Sequence, residues 1–195
     1  KTVLLRIDIN SPIDPLTKKI VSDNRIRKSI PTIRTLLDKG AKLVMIAHQG
    51  DTLDYSNLIP LHEHAEKLSQ YLGSTVPYID DPCGPAAQQK IKALRAGEGI
   101  LLGNLRYLTE EISTFENAVK LEPKDMKDTY LVRSLLPLCD FYVNDAFAAA
   151  HRNAPSMVAF QQLLPTAAGL LMQKEVEALD NIMEHPESPC VFVLG

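Results

Sequence analysis

Polar residues able to hold an anion follow the apolar runs of this sequence. Val3-Leu4-Leu5-Arg6-Ile7-Asp8-Ile9-Asn10 alternates. As a strand it puts Val3, Leu5, Ile7 and Ile9 on one face and Leu4, Arg6, Asp8 and Asn10 on the other. Leu43 to Ala47 stops at His48-Gln49-Gly50-Asp51, Ile100 to Leu102 stops at Gly103-Asn104-Leu105-Arg106-Tyr107, and Phe141 to Val143 leads into Asn144 to Arg152. Arg25 stands at the front edge of a helical pattern. Arginines 6, 25, 106 and 152 with His48, His151 and a few carboxylates and amides suit a small phosphorylated or carboxylated molecule, because guanidinium forks match such oxyanions bidentately. Two plainer readings compete. A half-exposed strand gives the same alternation, and each arginine could pair with a nearby Asp or Glu.

The intervening elements decide whether these tails meet. Ile26, Ile30, Ile33 and Leu37 fall at helical spacing, with Gly40 as a stop and Pro31 as a point for a kink. A second helix carries Leu61, Ala65, Leu68 and Leu72, capped by Ser56 or Asn57 and ended by Gly73. Its His62 and His64 lie two apart, which points them apart and suits a solvated face better than a metal. Thr75 to Ile79, with Pro77, reads as an edge strand. Pro85 opens a helix with Ala87, Ile91 and Leu94, and Leu131, Leu135 and Leu138 mark another. Residues 109–128 are charge-rich and read as a solvated insertion. Thr166 begins a long helix striped with Met172, Val176, Leu179 and Met183, and Cys190 to Leu194 reads as a final strand. Alternating strands and helices predict an α/β, three-layer Rossmann-like parallel sheet, whose strand C-termini share one edge.

Composition narrows the classes. The 195 residues are 45% hydrophobic and 23% charged, enough to bury a substantial core. A net charge of −3 gives no support for a nucleic-acid surface. No apolar run of membrane-spanning length and no secretory leader pattern occurs, so a cytoplasmic location is expected. Cys83, Cys139 and Cys190 lie far apart, and reduced, buried thiols are expected. Neither a P-loop nor a dinucleotide fingerprint is present, and no nucleophile elbow. Phosphate would therefore be held by side chains.

Several of these stretches together resemble the successive motifs of phosphoglycerate kinases, closest to the archaeal branch. They are Leu5 to Pro12, Asp23 to Ile33, Gly40 to Lys42 before His48-Gln49-Gly50, Leu102 to Tyr107, and Tyr142 to Arg152. The resemblance implies reversible phosphoryl transfer between 1,3-bisphosphoglycerate and Mg-ADP, giving 3-phosphoglycerate and Mg-ATP. It also implies two domains closing on a hinge. By it, residues 1–165 form the 3-phosphoglycerate domain, 166–185 an interdomain helix, and 186–195 the first strand of a nucleotide domain. It assigns Asp8, Ile9, Asn10, Arg25, His48, Gln49, Gly50, Asp51, Arg106 and Arg152 to the glycerate, with Arg25 facing the phosphoryl group in flight. It assigns no metal ligand, and places Mg-ATP or Mg-ADP outside this chain.

Two departures stand out. Asp51 occupies the arginine position of the family's His-Leu-Gly-Arg-Pro loop, and Gly103 replaces the glutamate of Glu-Asn-Leu-Arg. An acid at 51 cannot donate to phosphate, which leaves Arg106 and Arg152. Ending on a strand glycine, the sequence reads as part of something longer; weak glycerate binding, no turnover and self-association through the terminal strand are expected of it. Two rivals stay open on the residues alone: another phosphosugar or phosphoacid enzyme on a similar sheet, and a non-enzymatic module whose sheet edge binds a protein.

Overall fold

β1 (Thr2–Ile7) is apolar on both faces and takes the centre of the sheet. Leu4 enters one core with Val44, Ile100 and Tyr142, while Val3, Leu5 and Ile7 enter the other with Ile26, Ile33 and Leu68. A strand covered twice has no solvent face, so its neighbours run parallel to it. The computed structural model describes residues 1–50, 58–186 and 188–191.

α1 (Asn24–Asp38) follows the loop after β1, then come β2 (Lys42–Ile46), α2 (His62–Leu72), α3 (Pro85–Ala93) and β3 (Gly99–Leu101). α4 (Ser113–Val119), α5 (Tyr130–Leu135), β4 (Phe141–Asp145), α6 (Pro155–Val158), α7 (Phe160–Leu163), β5 (Thr166–Ala168) and α8 (Leu170–Glu184) complete it. The strand order is β3-β2-β1-β4-β5, all parallel, with Leu5 opposite Met45 on one side and Val143 on the other. α1 and α2 cover one face; α3, α5 and α7 cover the other. The expected three-layer α/β architecture is thus present. No helix among the described residues is long and apolar enough to cross a membrane.

Several local expectations change. α1 continues through Pro31, whose ring lies on the exposed face, so only one backbone bond is lost. The 75–79 run contributes one parallel bridge, Tyr78 with Leu101, because Pro77 has no N–H to extend a ladder. Thr166 does not start the long helix: Thr166–Ala168 pairs with Tyr142–Asn144. The helix begins at Leu170, because Asp145 accepts from the amides of Leu171 and Met172 at 2.9 and 3.0 Å, and Thr32 Oγ1 accepts from Leu170 N at 3.0 Å. Of the cysteines Cys83 is buried, Cys139 is half-buried and Cys190 is exposed, so burial does not extend to all three. The cap at Ser56 or Asn57 and most of the terminal strand lie outside the described residues.

The two α2 histidines part company. His62 is solvated beside Glu66, whereas His64 is fully buried, which corrects its reading as surface. Its Nε2 lies 3.0 Å from Gln49 Oε1, which also accepts from Ser11 N; the ring must therefore donate. Burial pushes His64 down to about 4. Gly103 shows a tight fit of another kind: a Cβ there would stand 2.8 Å from the Asp81 backbone nitrogen. The room a side chain would need is filled by the Asp81-Pro82 backbone.

Two outcomes follow from this packing. Gly103→Ala is expected to lower unfolding free energy by about 1–3 kcal/mol in urea titrations, since rigid backbone must shift. An unchanged midpoint would contradict that fit. For His64 the folded value lies below the unfolded one, so the unfolded chain takes up the proton first as pH falls. Stability is therefore lost between about pH 6.5 and 4. Against His64→Gln, which keeps a donor toward Gln49, the parent should lose about 1.4 kcal/mol more per pH unit in that window. Parallel pH profiles would contradict it.

Candidate active site

Three loops at the C-terminal edge of the sheet are clamped to one another before any ligand is considered. Gln49, after β2, accepts from Ser11 N at 2.8 Å and donates to Ser11 O at 2.9 Å. Asn104, after β3, accepts from Gln49 N at 3.1 Å and from Arg106 N at 3.0 Å, and donates to Gln49 O at 2.9 Å. Asn10 Oδ1 accepts from Gly50 N at 3.1 Å. Each amide thus satisfies backbone groups that a loop end would otherwise leave open. Ile9 is fully buried in the core, and Gln49 serves as a clamp. Neither they nor Gly50 line the cavity described next, and Asp51 lies outside the described residues.

The cavity at this edge has a volume of about 490 Å³ and gathers Asp8, Asn10, Arg25, His48, Arg106 and Arg152, with His151 and Glu116 also on its wall. It draws on every strand end the sequence singled out. Arg25, half exposed at the start of α1, donates to Asp8 at 2.7 Å. Arg152 pairs with Glu116 of α4 at 3.0 Å. Arg106 donates to the Glu111 carbonyl at 2.6 Å, while its Nε is buried with no protein partner. Burial first, then the charges of Arg152 and Arg6, push Arg106 down to about 10. Guanidinium groups crowded enough to disfavour one another's charge gain from an anion placed among them.

Behind the cavity wall lies a layer that sequence reasoning missed. Arg6 was expected on the open face but is buried: its Nε donates to Ser156 Oγ at 3.3 Å, its Nη1 to Ile7 O at 2.5 Å, and its Nη2 lies 2.7 Å from His48 Nδ1. Glu111 accepts from Ser156 N at 2.7 Å and Ser156 Oγ at 2.6 Å. Burial pulls the Glu111 carboxyl upward, opposed by the two Ser156 bonds and the Arg6 charge. The solvated-insertion reading of 109–128 therefore fails at Glu111 and Met126, both buried. Glu111, Glu116 and Ser156 had no distinguishing signal, since a carboxylate in a charge-rich run looks solvent-facing until its partners are known. Burial and four arginines, Arg6 foremost, push His48 well below the ordinary histidine range.

Among the described residues, no group of three or more His, Cys, Asp or Glu side chains could hold a metal ion. The donor set is that of an anion site.

Comparison with known proteins is consistent with this geometry. The model of the phosphoglycerate kinase family matches residues 1–195. A phosphoglycerate kinase of Sulfurisphaera tokodaii is 48% identical over all of this chain, which covers 45% of it. One from Methanothermobacter thermautotrophicus is 45% identical, with 46% of its length covered. The crystal structure of phosphoglycerate kinase from Pyrococcus horikoshii OT3 superposes with a TM-score of 0.88 at 42% identity, over 97% of this chain and 44% of that one. The enzyme from Coxiella burnetii gives 0.71 at 29%. The chain thus spans less than half the length of these relatives. With its five-stranded parallel sheet and its full-length family match, the chain belongs to the phosphoglycerate kinase family.

Proposed function

We propose that this chain is the 3-phosphoglycerate-binding half of a phosphoglycerate kinase, serving reversible phosphoryl transfer between 1,3-bisphosphoglycerate and ADP. The observation that carries the reading is Arg25, Arg106 and Arg152 converging with His48 on one cavity at the strand ends. Phosphoryl transfer asks for positioning and for cations around the moving group, which such a cavity supplies without a nucleophilic side chain. Arg25, held by Asp8, is placed to face the phosphoryl group. Arg106, Arg152 and His48 hold the carboxylate and the phosphate that stays. Asn10 and Asp8 set the loop against which the glycerate lies.

The described residues offer neither a metal cluster nor a phosphate-cradling glycine loop. Because the chain spans less than half of the phosphoglycerate kinases it resembles, the nucleotide and its magnesium are assigned to the remainder of a longer protein, and this chain alone is expected to bind without turnover. The exposed Val176, Leu179 and Met183 of α8 are assigned to packing against that remainder. Closure of the two halves would exclude water from the acyl phosphate. Glu116 bears on affinity, because its carboxylate occupies Arg152 and an incoming anion must share or displace it.

Calorimetric titration of 3-phosphoglycerate into the chain tests this. Saturable binding that weakens with salt is expected, and Arg152→Ala should cost about 2 kcal/mol or more, roughly 30-fold. Arg25→Ala should weaken binding less, because that side chain is half exposed. Glu116→Gln should tighten binding severalfold. Undetectable binding in the parent, or an Arg152→Ala affinity equal to the parent's, would contradict the reading.

A further inference from the structure

His48 stands where the cavity meets the buried layer, and one of its nitrogens is already engaged. Arg6 Nη2 lies 2.7 Å from His48 Nδ1. A guanidinium has donors and no acceptor, so Nδ1 must present its lone pair. The ring proton then belongs on Nε2, in a side chain that lines the cavity. Arg6 is not free to turn away. Ser156 Oγ accepts from its Nε at 3.3 Å and in turn donates to Glu111 Oε2 at 2.6 Å, while the Ile7 carbonyl accepts from its Nη1 at 2.5 Å. Arg6, Ser156 and Glu111 are all nine-tenths or more buried.

We propose that Arg6, held by Ser156 and Glu111, is a positioning residue that fixes His48 as its neutral Nε2–H tautomer, making the imidazole a hydrogen-bond donor to an anionic substrate oxygen. This inference rests on the glycerate site proposed above. A protonated ring would turn Nδ1–H toward Arg6, donor against donor. The charged groups around the ring reinforce the arrangement: Arg6 from β1, Arg25 from α1, Arg106 after β3 and Arg152 after β4 all disfavour an imidazolium. Asp8 and Glu116, the carboxylates of the cavity wall, are engaged by Arg25 and Arg152. The ring therefore cannot serve as a general base through Nδ1. Its contribution is a donor whose availability does not change between roughly pH 5 and 8, the range in which an ordinary histidine titrates.

Nitrogen-resolved NMR of the histidine rings in the ligand-free chain reads this without any substitution. The expected spectrum has Nδ1 bare and Nε2 protonated in His48, unchanged across that pH range, and Nε2–H shifts on addition of 3-phosphoglycerate. Arg6→Met should release the second tautomer and weaken 3-phosphoglycerate about tenfold, while Arg6→Lys, which keeps one donor, should restore most of both. A His48 ring protonated at Nδ1, or titrating near its ordinary value, overturns the inference whatever the ligand does. The expected tautomer with no response to 3-phosphoglycerate overturns the donor role together with the glycerate site. A tautomer unchanged in a folded Arg6→Met variant overturns the role of Arg6 alone.

Discussion

The edge of this sheet depends on one buried carboxylate. Glu111 accepts two hydrogen bonds from Ser156 through its side chain, and its backbone carbonyl accepts from Arg106 and, at 3.4 Å, from Arg152. Its charge opposes that of buried Arg6, and its chain segment aims Arg106 and Arg152, two of the three arginines that face the cavity. An uncompensated arginine inside a protein is expensive, and so is a lone carboxylate. Here each makes the other tolerable, and the arrangement leaves net positive charge where a ligand can reach it.

The parallel sheet explains why these groups meet at all. Five strands running the same way bring the residues after β1, β2, β3 and β4 to one edge, and α1 adds Arg25. Because Gln49 and Asn104 clamp the loops, the arginines occupy their places before a ligand arrives, so little ordering remains for binding to oppose. The crowding that lowers Arg106 is repulsion that an anion would relieve. A site of this kind discriminates by charge and shape. It is suited to a reaction in which the protein positions and neutralises, and in which the moving group never bonds to a side chain.

Much of this was legible in the residues. The alternation over Val3–Asn10, the unbroken apolar run of β2 and the glycine stops at 40 and 73 gave the sheet and its flanking helices. The polar tails after the strands gave five of the six residues of the proposed glycerate site that line the cavity, and the front edge of α1 gave the sixth, Arg25. What escaped has a common cause: burial that depends on a distant partner. Arg6 shares a face with Asp8 and Asn10, yet Ser156 and Glu111 draw it inside. His64 looks like a surface residue until Gln49 Oε1 accepts a hydrogen bond from its ring. Thr166 looks like a helix start because small residues suit both states, and only pairing with β4 and the Asp145 and Thr32 caps decide it. Gly103 looks like a lost carboxylate, although the Asp81-Pro82 backbone leaves no room for one.

The most direct test of the account is to follow the arginine side-chain and histidine ring resonances of the chain while 3-phosphoglycerate is added. The account predicts saturable shifts at Arg25, Arg106, Arg152 and His48, with one shared binding constant and little change at the solvated Arg34 or Arg95. Saturable shifts centred elsewhere on the molecule, or none at these four residues, would contradict the claim that the arginines gathered at the strand ends form the substrate site.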